Sequence, residues 1–195
     1  MLLLKMPPNC EMPSSSKTAA MTTREKANLI KQLQDEALRN LSPNTLYIVL
    51  YLRSDPPEPN NFHWGFYFHG EHVGGWKYHM RNLGDGWIAD HGTSSGVFKS
   101  TFLCVLIQIA DIPSAKRDQL DQIMRSRDGD VNSIPGMSCR VWLLEILHQL
   151  AQQGLVRCSD CKALEQECFR IGNHHSYGAS KNNQPRPVVK SELCY

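Results

Sequence analysis

Apolar and polar positions alternate through residues 61–70, which read NFHWGFYFHG. Side chains of a β-strand point alternately to its two faces. The bulky aromatic residues of the stretch therefore share one face: Phe62, Trp64, Phe66 and Phe68. The other face carries His63 beside Gly65. The alternation predicts a strand that buries an aromatic face and presents a histidine on the opposite one.

Four further stretches have the β-branched and aromatic content of strands and are bounded by proline, glycine or serine turns. They are residues 45–53, 74–82, 86–92 and 101–111. Turns of hairpin length separate most of them, which favours antiparallel pairing of neighbours. Together with residues 61–70 they predict an antiparallel meander of about four to five strands.

Apolar residues at helical spacing predict further elements at both ends of this meander. Thr22 and Glu25 form a capping-box pattern, so a helix should begin there and end before Pro43. A second helix is predicted from Ser114 onward. Residues 159–172 predict a helix that closes the domain.

The most apolar helix is predicted in residues 138–154, SCRVWLLEILHQLAQQG. Its apolar side chains cover most of the circumference, which is typical of a buried helix. Ser138 is placed as the N-cap and Gly154 as the C′ residue, so Cys139 takes the first helical position. The predicted fold class is α+β, with the meander packed against this central helix and a helix at each end.

Composition divides the chain into one folded domain and two arms. Residues 1–21 and 173–195 are rich in small, polar and proline residues, and both are predicted to be disordered. The folded domain is expected at residues 22–172. A chain of 195 residues favours a single domain of this kind.

Charge and cysteine content limit the classes of function. The formal net charge is +2, from 21 basic and 19 acidic residues scattered along the chain, so no nucleic-acid partner is predicted. No apolar run reaches the roughly 18 residues of a transmembrane helix, and the first residues do not form a secretory signal. We therefore expect a cytoplasmic protein. Seven cysteines, an odd number, favour reduced thiols over a disulfide framework.

A thiol at a helix start is placed for nucleophilic chemistry. The positive end of the helix dipole and the free backbone N–H groups at Cys139 stabilise a thiolate. A histidine on a strand packed against that helix would supply the base, and His63 is the candidate. No cofactor or metal is required by this chemistry, and none is predicted.

The motifs HWGFYF, KYHM and CRVW, in this order, resemble the circularly permuted papain-like fold of lecithin retinol acyltransferase and NlpC-type hydrolases. They are most similar to small, mostly fungal, uncharacterised proteins with His-Trp, Tyr-His and Cys-x-x-Trp motifs. The resemblance implies a cysteine hydrolase or acyltransferase that forms a thioester. It implies Cys139 as nucleophile, His63 as base and His79 as the residue that orients His63.

The residues leave parts of this assignment open. The chain has Ser-Cys-Arg-Val-Trp where the acyltransferases have Asn-Cys-Glu-His-Phe, so a peptide, an isopeptide or another acyl compound could be the substrate. Asp90 or His91 could orient His63 in place of His79. The oligomeric state is not indicated by any pattern.

Two alternative functions are compatible with the sequence. The domain could be a non-catalytic binding module that offers Trp76 and Trp87 to a peptide. It could also be stabilised by zinc, since soft ligands recur near its end: Cys158, Cys161, Cys168, His174 and His175.

Overall fold

A computed structural model of the protein describes residues 21–71 and 74–194. Within these ranges the helices are α1 (Thr23–Arg39), α2 (Arg117–Met124), α3 (Cys139–Gln152) and α4 (Cys161–Ser180). The strands are β1 (Thr45–Leu52), β2 (Phe62–His69), β3 (Gly75–Tyr78), β4 (Met80–Asn82), β5 (Trp87–Ala89), β6 (Gly92–Ser94), β7 (Leu103–Asp111) and β8 (Val188–Lys190). The predicted α+β class is confirmed. The predicted N-terminal arm lies outside the described residues, apart from residue 21.

Six strands form one sheet in the order β6-β3-β2-β1-β7-β8. All neighbours are antiparallel except β7 and β8, which run parallel. The strands β4 and β5 form a separate two-stranded sheet. In the β1–β2 pair Tyr51 lies opposite His63, and in the β2–β3 pair Phe66 lies opposite Tyr78. This register brings the end of β3 to the histidine of β2.

The aromatic face of β2 packs against helices, as its alternation predicts. The Phe66 ring contacts that of Trp142 on α3 at 5.9 Å between centroids, and Trp64 contacts Phe169 on α4 at 5.3 Å. Both tryptophans are buried. We call this side of the sheet the helical face, and it holds the larger part of the core.

The opposite face of the sheet has its own, smaller apolar cluster. Its buried members are Leu38, Leu41, Tyr47, Val49, Tyr67, Val97, Phe98, Leu103 and Leu106. Two of them come from the end of α1 and its following turn, and two from a 3-10 turn at Val97–Lys99. We call this side the open face, because its apolar cluster is smaller than that of the helical face.

The predicted helix boundaries agree with hydrogen-bonded caps. The Glu25 amide donates to Thr22 Oγ1 at 3.3 Å and the Thr22 amide donates to Glu25 Oε2 at 2.8 Å, which completes the capping box. The Val141 amide donates to Ser138 Oγ at 3.2 Å, so Cys139 is the first residue of α3. Gly154 has the positive φ, 66°, that favours glycine just beyond a helix.

The predicted C-terminal arm is wrong, because residues 173–194 are part of the fold. The helix α4 continues to Ser180, and β8 then adds to the edge of β7. Arg186 is only 2% exposed, and the buried Glu167 accepts from Ser191 Oγ at 2.6 Å. Long-range hydrogen bonds hold a segment that is too polar to suggest a core from its composition.

Candidate active site

The paired strands β2 and β3 bring two histidines together on the open face. His63 Nε2 and His79 Nδ1 are 2.9 Å apart, within hydrogen-bonding distance. The side chain of His79 lies over Gly65, where a Cβ atom would come within 3.0 Å of His79 Cβ. A glycine at this position therefore leaves the space in which the two rings meet.

Asp90 completes a chain of three polar groups. Its Oδ2 lies 3.4 Å from His79 Nε2, and its backbone amide donates to the His79 carbonyl at 2.9 Å. A carboxylate can only accept, so the arrangement favours the His79 tautomer that has its proton on Nε2 and accepts through Nδ1. In that tautomer His63 donates through Nε2. We refer to His63, His79 and Asp90 as the relay.

The relay leaves the His63 Nδ1 lone pair available. No described residue forms a hydrogen bond with Nδ1. Some polar side-chain atoms of the described residues are fully buried and have no partner, but His63 Nδ1 is not one of them. Solvent, or a molecule bound beside His63, therefore reaches this nitrogen.

Burial keeps both imidazoles neutral near pH 7. It lowers the pKa of His79 to about 4, and the neighbouring His63 adds to the decrease more than Asp90 opposes it. Burial also lowers the pKa of His63, with a further contribution from the Arg53 guanidinium. An uncharged imidazole with a free lone pair is the protonation state that a general base requires.

A cleft of about 570 Å³ opens over the relay. Its lining residues are Tyr51, Leu52, His63, Lys77, His79, Thr93, Ser94, Ser95, Gly96, Val97, Ser100 and Phe102. The Phe102 side chain is exposed at the cleft. Lys77 makes no ion pair with a described residue. No acidic side chain is among these described lining residues. Arg53 lies outside the lining, but its charge acts on His63.

Cys139 is not part of this site. It is 2% exposed and belongs to the core of the helical face, together with Trp64 and Phe66. His63 and His79 lie on the open face, with the sheet between them and α3. Among the described residues no hydrogen bond reaches the Cys139 thiol. The predicted pair of Cys139 and His63 is therefore not formed, whereas the predicted contact between His63 and His79 is.

The open question of the orienting residue has a geometric answer. His79 contacts His63 directly, and Asp90 contacts His79. His91 accepts from the His79 backbone amide through Nδ1 at 3.2 Å and lies 3.1 Å from Asp128 Oδ1 through Nε2. It thus supports the backbone of the relay from the helical face, where its ring stacks on Trp142.

Sequence reasoning missed the cationic cleft around the relay. Lys77 stands two residues before His79 on the strand, and this spacing places both side chains on one face. The period-two pattern of KYHM was the available signal. Arg53 gave no such signal, because it follows β1 in a loop.

The alternative zinc site is not formed by the described residues. No group of three or more histidine, cysteine or acidic residues in the described ranges has a geometry that could hold a metal. His174 stands 13 residues after Cys161 on α4, a distance of about 20 Å along a helix. Cys161 therefore lies far from both histidines of the predicted set.

Comparison with known proteins gives a family and no activity. The model of a family of unknown function (DUF6914) matches residues 44–186. This range begins one residue before β1 and ends two residues before β8, so it leaves out α1. No curated protein and no solved structure matches the chain. The resemblance to permuted papain-like enzymes stays a prediction. No helix of the described residues is long and apolar enough to cross a membrane.

Proposed function

The chain belongs to the family of unknown function DUF6914, and from its site we propose a hydrolase or group-transfer enzyme in which His63 is the general base. The observation that carries the proposal is the relay of His63, His79 and Asp90, whose two histidines line a cleft. The acid–base part of the sequence prediction is kept, and the cysteine nucleophile is not.

Each member of the relay has a distinct role in the proposed reaction. His63 Nδ1 takes a proton from water, or from the hydroxyl of an acceptor, as that oxygen attacks the carbonyl carbon or the phosphorus. The bond from this atom to the leaving oxygen or nitrogen then breaks, and the leaving group receives the proton from His63. The imidazolium formed on His63 keeps its hydrogen bond to His79, whose tautomer Asp90 holds. A base oriented in this way contributes about 10²- to 10⁴-fold to the rate. His79 and Asp90 are positioning residues, because they act through His63.

The charge of the cleft favours a substrate with a negative charge close to the reacting bond. Lys77 lines the cleft and the charge of Arg53 acts on His63, so an anionic acyl or phosphoryl group would meet the Lys77 ammonium in the positive field of Arg53. The same cations would stabilise the oxyanion that develops during attack. We therefore propose a carboxylate-bearing ester or amide, or a phosphate ester, as the substrate class.

Hydrolysis of substrates from these classes tests the proposal. We expect the wild type to turn over at least one chromogenic ester or phosphate ester, and His63→Gln to lose about 10²- to 10⁴-fold of kcat/KM. His174→Gln is the matched control, because it changes an exposed histidine on α4. Cys139→Ala should keep the wild-type turnover per folded molecule, because Cys139 is not part of the site.

Two results would contradict the proposed reaction. Equal turnover by His63→Gln and the wild type would remove His63 as base. Saturable binding of the same compounds in the cleft without any turnover would favour the non-catalytic binding module, for which the exposed Phe102 offers apolar contact area.

A further inference from the structure

Two cysteines far apart in the chain face each other near the start of α4. Cys158, in the connection from α3 to α4, pairs with Cys194 in an isolated antiparallel bridge. The Ser159 amide donates to the Leu193 carbonyl at 3.2 Å, one residue inward from each cysteine. This pattern makes the cysteines a non-hydrogen-bonded pair, the kind whose Cα atoms lie about 4.5 Å apart and whose side chains are closest.

That spacing suits a disulfide. Disulfides join Cα atoms that are about 4.4 to 6.8 Å apart, with both Cβ atoms on the same side of the pair. Both thiols are free in the structure. We propose that Cys158 and Cys194 form a reversible disulfide, so that the pair is a dithiol redox site that oxidised glutathione or a similar small disulfide converts.

Exposure assigns the order of the two steps. Cys158 is half-buried and can meet a small oxidant, whereas Cys194 is 3% exposed. Burial raises the pKa of Cys194 to about 12, and the adjacent Cys158 thiol adds to the rise. Cys158 is therefore the attacking thiol and Cys194 the resolving one.

The reaction balances with oxidised glutathione as the oxidant. The Cys158 thiolate attacks one sulfur of the glutathione disulfide, forms a mixed disulfide and releases one glutathione thiolate. Cys194 then loses its proton to the solvent and attacks the Cys158 sulfur, which releases the second glutathione. Two protein thiols are oxidised, one glutathione disulfide is reduced, and both protons end on the two glutathione molecules.

Cys161 is one competing partner, because it stands three residues after Cys158 and its thiol lies beside it; the buried Cys168 thiol also lies near Cys158 and Cys194. It is the first residue of α4, whose cap Asp160 accepts from the Lys162 and Ala163 amides at 2.8 and 3.1 Å. A bridge from Cys158 to Cys161 would have to form across this capped turn. The backbone already holds Cys194 opposite Cys158, which favours the long-range pair.

The disulfide would secure the whole C-terminal segment. Residues 158–194 contain α4, β8 and the buried Arg186, and the bridge would close them into one loop. Closing a loop of this length stabilises a protein mainly by restricting its unfolded chain. The oxidised protein would hold β8 on β7 more firmly than the reduced protein does.

Peptide mapping of the full chain tests the pairing directly. The protein is equilibrated with oxidised glutathione, its remaining thiols are blocked, and it is cleaved with trypsin without reduction. Cleavage after Arg157, Lys162 and Lys190 separates residues 158–162 from 191–195. We expect these two peptides to be cross-linked, and Tm to rise by about 5–15 °C in a manner that dithiothreitol reverses.

Single substitutions identify the partner of Cys194. Cys161→Ser should keep the cross-linked peptides, and Cys158→Ser and Cys194→Ser should both lose them. An internal disulfide in residues 158–162, or a cross-link that survives Cys158→Ser, would overturn the proposed pair. So would thiols that stay reduced in oxidised glutathione, including thiols protected by a stoichiometric metal ion that a chelator removes.

Discussion

Two imidazoles that share a hydrogen bond in a buried place resist protonation, and this resistance governs the chemistry of the open face. Protonation of His79 would create a positive charge that is buried away from solvent and that lies beside His63, and both effects lower its pKa. Asp90 opposes both effects only in part, from 3.4 Å. The pair therefore stays neutral under mildly acidic conditions in which an exposed histidine is half protonated. His63 keeps its base form over the same range.

Acidification should destabilise the folded protein over a pH range that is set by the pKa of His79. The unfolded chain binds a proton at His79 near its ordinary pKa of 6.5, while the folded protein does so only near 4. Folded stability from this group is thus complete above pH 6.5 and is lost as the pH falls toward 4, by about 3 kcal/mol at most. Urea unfolding of wild type and His79→Gln at several pH values measures it.

The variant should show a flatter pH dependence than the wild type between pH 6.5 and 4. His174→Gln is the control, because an exposed histidine should leave the slope unchanged. A slope that His79→Gln does not alter would mean that His79 titrates alike in the folded and unfolded protein.

At the scale of elements, α3 is the centre of the helical face. Its Trp142 is fully buried, packs on Phe66 of β2 and supports the ring of His91. The indole Nε1 nevertheless has no hydrogen-bond partner among the described residues. Trp142 therefore stabilises the fold through the volume of its buried ring, whereas its buried N–H without a partner is destabilising.

Two substitutions at Trp142 separate these contributions. Trp142→Ala should destabilise the protein by about 3–5 kcal/mol, because it leaves a large cavity under the sheet. Trp142→Phe should cost much less than that, since it keeps most of the ring volume and removes a buried N–H without a partner. Chemical denaturation of both variants compares them. Equal losses would show that the indole N–H is satisfied in solution.

At the scale of the whole molecule, the C-terminal segment ties separate parts together. The Arg186 guanidinium donates to the Asn183 and Thr101 carbonyls at 2.9 and 3.0 Å. Glu167 accepts from Ser191 Oγ and from the Glu192 amide at 2.6 and 2.7 Å. Both charged groups are buried, and both depend on residues beyond the end of α4.

Removal of residues 181–195 should therefore destabilise the protein by about 3 kcal/mol or more, because it removes the pairing of β8 with β7 and the buried hydrogen bonds of Arg186 and Glu167. Thermal unfolding of the shortened chain measures the loss. Arg170→Ala is the control, since its ion pair with Glu192 is exposed and should contribute little. A shortened chain with an unchanged Tm would show that the segment is dispensable.

Local patterns predicted most of the fold, and long-range relations escaped them. The capping box at Thr22, the cap at Ser138 and the alternation in β2 each depend on residues within a few positions of one another. The pairing of β8 with β7 depends on residues about 80 positions apart, as Leu106 with Val188 shows. No composition or period reports such a pair.

The site shows the same division. The contact between His63 and His79 was predictable from two neighbouring strands and the resemblance. The separation of Cys139 follows from parity, because α3 packs on the side of Trp64 and Phe66 and the adjacent positions of β2 must face away. The alternation in β2 already implied that α3 could contact either the aromatic residues or His63, but not both. Which face α3 covers is known only from its packing in the structure.

The short strand β8 also has a consequence for how the protein behaves among its own copies. The strand β7 has nine residues, eight of them buried or half-buried, and β1 pairs with only one of its edges. An uncovered second edge would present a row of free amides and carbonyls, which is a template for adding strands from other chains. The three residues of β8 pair with the middle of that edge. We therefore expect β8 to reduce aggregation through β7.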